Sequence, residues 1–80
     1  MVERIRYAES VKEFLLTHPD AEDARLFIEL LARGRASGSA AVEIDGEGTG
    51  IAALERSGRL IWWHYEGRDR AVLVVDGIEF

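Results

Sequence analysis

The stretch Ser57-Gly58-Arg59-Leu60-Ile61-Trp62-Trp63-His64-Tyr65-Glu66-Gly67-Arg68-Asp69-Arg70-Ala71-Val72-Leu73-Val74-Val75 decides the fold. Two runs of β-branched and aromatic residues flank a Gly-Arg-Asp turn, the pattern of a β-hairpin. With Ser57-Gly58 as the preceding turn, residues 51–56, 59–66 and 70–76 read as an antiparallel meander. Alternation sorts the side chains into two faces. Leu54, Ile61, Trp63, Tyr65, Leu73 and Val75 lie on one face; Ile51, Leu60, Trp62, His64, Val72 and Val74 lie on the other. Both faces are apolar, whereas a sheet covered on one side only carries polar residues on the side facing water.

The remaining sequence supplies cover for one of those faces. Val2 to Tyr7 reads as a short edge strand, with a helical lead-in as the alternative. Ser10-Val11-Lys12-Glu13 matches a capping box, and Val11, Phe14 and Leu15 follow at helical spacing. Thr17-His18-Pro19-Asp20 ends that helix, because proline has no amide to continue it. The next helix opens on Asp20, Glu22 and Asp23, which suit the positive end of its dipole. Its buried stripe is Ala24, Phe27, Ile28 and Leu31, widened by Leu26 and Leu30, and Gly34 serves as its C-terminal cap. A connector follows at 35–39. Residues 40–45 then alternate as a half-buried strand, and Gly46-Glu47-Gly48-Thr49-Gly50 makes a turn. For Ile51 to Arg56 a strand is favoured; a short helix capped by Thr49 and ended by Gly58 is the alternative. The expected fold is one α+β domain over residues 1–80. In it, two N-terminal helices pack on one face of an antiparallel sheet of three to five strands, ending in a C-terminal meander.

Composition narrows the function classes. The 80 residues carry no cysteine, so there is no disulfide framework, thiolate metal site or thiol nucleophile. No export leader is expected after Met1-Val2-Glu3-Arg4, and no apolar run nears the roughly 20 residues of a membrane helix. A cytoplasmic protein without membrane contact is expected. The net charge of −5 argues against nucleic-acid binding, which needs cationic contacts to phosphate. Residues 41–80 are the more acidic half, with four basic and eight acidic side chains against six and seven in residues 1–40.

Chemical motifs are sparse. Asp45-Gly46-Glu47-Gly48-Thr49-Gly50 opens like a calcium loop, but Arg56 stands where a bidentate glutamate is needed. The same glycines lack the Lys-Ser/Thr of a phosphate-binding loop. His18 and His64 belong to no paired-histidine metal motif. His18, beside Pro19, reads as a residue at a helix start, and His64 as a buried hydrogen-bonded ring or a surface pH switch. Ser37 and Ser39 have linker surroundings. Arg56, Arg59, Arg68 and Arg70 cluster at the hairpin ends, with Glu66–Arg70 expected as a cross-strand pair. No cofactor or metal is expected.

The element order also resembles the RelE/ParE/HigB-like toxin superfamily. Glu3-Arg4-Ile5-Arg6-Tyr7, two helices and a meander are similar to its topology, and Arg59-Leu60-Ile61-Trp62-Trp63 to its Arg-Val-hydrophobic-Tyr strand. That resemblance implies action on ribosome-bound mRNA or on gyrase, with Arg56, Arg59, His64 and Arg70 lining the site. Gly77 would match the glycine of the family's terminal Gly-His motif, with Ile78 in place of the histidine. The residues themselves lead elsewhere. Large apolar side chains left in water are a solubility liability. Leu60, Trp62, His64, Val72 and Val74 are therefore expected to form an association surface for a second copy of the chain or another protein. The expected function is a non-catalytic interaction module.

Overall fold

The hairpin forms as its alternation requires, and it is the centre of a five-stranded sheet. A computed structural model describes residues 2–33 and 48–80 and, through their backbone, 41–43. The elements are β1 (Arg4–Tyr7), α1 (Glu9–Thr17), α2 (Ala21–Ala32), β2 (Ala41–Glu43), β3 (Gly50–Ala53), β4 (Leu60–Glu66) and β5 (Val72–Ile78). A short 3₁₀ turn at Arg68–Arg70 joins β4 to β5. The strand order is β1-β5-β4-β3-β2. The fold is α+β, with both helices packed on one face of the sheet. Residues 51–53 are strand, as favoured, and the chain turns at 55–57. The Gly34 cap, the connector at 35–39, the side-chain alternation of 40–45 and residues 46 and 47 of the glycine-rich turn lie outside the described residues.

The expectation of a wholly antiparallel sheet is corrected at β1. This strand pairs parallel to β5, from Arg4 opposite Val72 to Tyr7 opposite Val75. Parallel neighbours need a long crossover, and α1, α2 and the strands after them supply it. The sheet is therefore mixed: β2 through β5 form the antiparallel meander, and β1 closes the far edge.

The expected Ser10 cap is also corrected. The amide of Ala8 donates to Val75 O at 3.0 Å, holding the chain to β5 until the residue before the helix. Ala8 is thus the N-cap, without a side-chain bond, and Ser10 falls inside the first turn. α1 buries Val11 and Phe14, and α2 buries Ala21, Ala24, Ile28 and Leu31. Leu26 and Leu30 do not widen that stripe; they are 47% and 42% exposed. At 100° per residue, Leu26 lies about 200° from both Ala24 and Ile28, on the opposite side of the helix.

The core joins these helix residues to Ala52, Leu54, Ile61, Trp63, Leu73, Val75 and Ile78. Tyr65 fastens β4 to α2 by donating its hydroxyl to Leu31 O at 3.1 Å. Phe27 lies against Trp63, with ring centroids 5.4 Å apart. The corner between the helices is tied down as well. His18, expected at a helix start, is instead the C-cap of α1, two residues before the N-cap of α2; it stacks on Phe14 at 4.2 Å and accepts from the amide of Asp20 at 3.0 Å. Arg59 Nε donates to Asp20 Oδ2 at 3.1 Å. Asp23 receives both the amide and the hydroxyl of Ser57 at 3.1 Å, binding the β3–β4 turn to α2.

Candidate functional site

The helices leave the other face of the sheet open. Alternation and register place Arg4 and Arg6 of β1, Val72, Val74 and Asp76 of β5, Leu60, Trp62, His64 and Glu66 of β4, and Ile51 and Ala53 of β3 there. Leu60 is 40% and Trp62 39% exposed, while Trp63 on the helix side is 5% exposed. Ile51, Val72, Val74 and His64 are half-buried. All five residues read from the sequence as an association surface, Leu60, Trp62, His64, Val72 and Val74, share this one face.

Two features shape it. The first is a glycine beneath each tryptophan. A Cβ on Gly77 would lie 2.2 Å from the Trp62 ring, and one on Gly50 would lie 2.4 Å from the Trp63 ring. Each indole therefore lies flat on a neighbouring strand at a position that only glycine permits. Trp62 covers β5 on the open face, and Trp63 covers β3 under the helices.

The second is a bulge in β5. Trp63 is opposite Val75 and Trp62 opposite Gly77, so Asp76 is the extra residue between them. The bulge aims its carboxylate at His64: Asp76 Oδ2 is 2.6 Å from Nδ1. Glu66 Oε2 is 2.7 Å from Nε2 on the other side of the ring. Glu66 Oε1 in turn meets the Arg6 guanidinium at 3.5 Å. The result is a row, Asp76–His64–Glu66–Arg6, running across three strands.

The electrostatics follow from that row. Hydrogen bonds to Glu66 and then to Asp76 hold the His64 pKa above its ordinary 6.5. The same bond to His64 holds Glu66 below its ordinary 4.5. The two carboxylates flank the ring on opposite sides, so they do not converge on a point where an ion could sit. Among the described residues no group of three or more His, Asp or Glu side chains is arranged to hold a metal ion.

Comparison with family models, curated proteins and solved structures gives no match.

The residues of the toxin-like alternative are not brought together. Arg56 is exposed on the β3–β4 turn. Arg59 follows it, paired with Asp20, bonded to the carbonyls of Glu79 and Phe80, and lying over the Phe14 ring. Arg70 is at the other end of β4, about 20 Å of strand away. His64 lies between them on the open face. The expected Glu66–Arg70 pair is corrected too. Gly67, Asp69 and Arg70 all take positive φ, 81°, 57° and 56°. This left-handed turn carries the Arg70 guanidinium over the Tyr65 ring, 5.1 Å from its centroid. Glu66 turns to His64 and Arg6 instead.

Sequence reasoning missed Asp76, Glu66, Arg4, Arg6 and Gly77 as parts of the open face. The alternation that placed Val72, Val74, Trp62 and His64 there extends by two residues to Asp76 and Glu66. Arg4 and Arg6 carried no such signal, since their place depends on the parallel pairing of β1 with β5.

Proposed function

We propose that this chain is a non-catalytic interaction module whose open sheet face docks a second copy of itself. The observation that carries this reading is Trp62, which is 39% exposed in the middle of a sheet face that no element of the described chain covers. About 100 Å² of its indole is left to bury, worth about 2.5 kcal/mol per copy.

Charge favours a second copy as the occupant. Among the described residues Arg4 and Arg6 offset Glu66 and Asp76 on the open face, which therefore carries zero with His64 neutral and +1 with it protonated, while the whole chain carries −5. The acidic excess therefore lies elsewhere, and this is a face through which two copies meet without bringing it together. Its size sets the strength. The 25 residues of β1 to β5 span about 400 Å² in projection. Two such faces bury roughly 800 Å² in total, below the roughly 1,200 Å² at which stable interfaces begin, so weak association, on the order of hundreds of micromolar, is expected. The absence of cysteine suits a cytoplasmic setting. Among the described residues no helix is long and apolar enough to cross a membrane.

Sedimentation velocity over a concentration series tests the reading. The wild-type chain should dimerise, and Trp62→Glu should remain monomeric with an unchanged circular dichroism spectrum. A wild-type chain that stays monomeric at millimolar concentration, with Trp62 open to acrylamide quenching, would overturn it. A monomer that instead co-purifies with a different protein on this face would also overturn self-association.

A further inference from the structure

We propose that docking on this face is coupled to the proton on His64: a second copy binds over the protonated network and is released as that proton is lost. The inference rests on the open face being the docking surface.

The geometry carries it. At 2.6 Å and 2.7 Å, both ring nitrogens are at charge-assisted hydrogen-bond distance from a carboxylate oxygen. A neutral imidazole has one N–H, so it donates to one carboxylate and turns a lone pair towards the other. Both bonds hold together only in the imidazolium. In that form Arg6, Glu66, His64 and Asp76 alternate in sign and sum to zero. Without the proton the row carries −1, and one carboxylate loses its donor.

An exposed face tolerates that loss, because the released carboxylate turns to water. A covered face does not, since an unpaired carboxylate buried in an interface is strongly unfavourable. Among the described residues the neighbouring elements supply no substitute. From β1, Arg6 is already engaged by Glu66, and Arg4 lies one pleat further along, opposite Val72. β5 contributes Val74 directly opposite His64 and Asp76 itself. β3 presents Ile51 and Ala53, which carry no charge.

The upward shift of the His64 pKa agrees in direction, since the flanking carboxylates favour the imidazolium even in the single chain. Binding and protonation then promote one another by linkage. Association is strongest where His64 of the single chain is already protonated and its flanking carboxylates are still ionised, and it weakens as the pH rises through the raised pKa of His64.

The test uses the full chain and its His64→Gln variant in sedimentation velocity from about pH 5.5 to about pH 9, with NMR titration of the His64 ring at low and high protein concentration. For the wild type, the dimer Kd should rise by up to about tenfold per pH unit for each His64, about a hundredfold for the pair, between the monomer and dimer pKa values. His64→Gln should give a flat profile, and the His64 pKa should be higher at high concentration. A wild-type dimer whose Kd does not change with pH, or a His64 pKa independent of concentration, overturns the coupling and leaves the docking face standing. The absence of a dimer at every pH overturns both.

Discussion

Adding one methyl group beneath each tryptophan should have opposite consequences on the two faces of the sheet. In Gly50→Ala the new Cβ would lie 2.4 Å and 2.6 Å from two atoms of the Trp63 ring. Ordinary contact begins near 3.4 Å, so the indole must retreat by about 1 Å. It has nowhere to go: Trp63 is 5% exposed, with Phe27 5.4 Å away on the helix side. Overpacking of this kind costs about 1–3 kcal/mol. The entropy that alanine removes from the unfolded chain returns only about 0.4–1 kcal/mol. In Gly77→Ala the overlap is tighter still, at 2.2 Å from the Trp62 ring. Yet Trp62 is exposed on its far side and can lift into water, so the cost is about 1 kcal/mol or less before the entropic gain.

Thermal melts followed by circular dichroism separate the two. At roughly 4–8 °C per kcal/mol for a domain of this size, Gly50→Ala should lower Tm by about 5–15 °C, while Gly77→Ala shifts it by less than about 5 °C. Tryptophan emission should move to longer wavelength in Gly77→Ala as Trp62 leaves β5, and dimerisation should weaken with it. If Gly50→Ala melts with the wild type, or if Gly77→Ala is the more damaging of the two, the assignment of faces is wrong.

Three further perturbations test other joints of the structure. Tyr65→Phe removes the hydroxyl bond to Leu31 O and should cost about 0.5–1.5 kcal/mol in denaturant unfolding, without altering the open face. Asp23→Ala leaves the Ser57 amide and hydroxyl without their carboxylate and should cost about 1–2 kcal/mol, with hydrogen exchange rising first in the 55–58 turn. The stability of the dilute monomer should also depend on pH. His64 has a raised pKa, so its contribution is complete below 6.5 and is lost as pH rises through the folded-state value. Glu66 has a lowered pKa, so its contribution is present above 4.5 and is lost as pH falls through the folded-state value. Urea midpoints should therefore show a stabilising increment between those limits, and His64→Gln should abolish its upper edge.

The two faces of the meander were legible because a period of two is unambiguous once strands are assigned: Trp62 and Trp63 are adjacent, so they must part. The helices were legible from Val11/Phe14 and Ala24/Ile28/Leu31. Leu26 and Leu30 misled because hydrophobicity alone widens a stripe, whereas helical geometry puts both residues behind it. The parallel pairing of β1 was not legible, since Val2-Glu3-Arg4-Ile5-Arg6-Tyr7 carries no information about which strand it meets. That pairing follows from where the chain re-enters after α2 and the meander, which is a tertiary outcome.

The bulge at Asp76 has the same origin and the larger consequence. In Val74-Val75-Asp76-Gly77-Ile78, strict alternation keeps Asp76 with Val74 but puts Ile78 out in water beside it. The sheet resolves this conflict by inserting one residue. Ile78 returns to the core opposite Ile61, and Gly77 takes the place opposite Trp62, where a side chain would collide with the indole. Asp76 is left over with its carboxylate free to reach His64. The charged row across the open face is thus a product of packing on both sides of the sheet: the core recovers Ile78, Trp62 gains a surface to lie on, and the residue displaced between them supplies the second acceptor for the His64 ring.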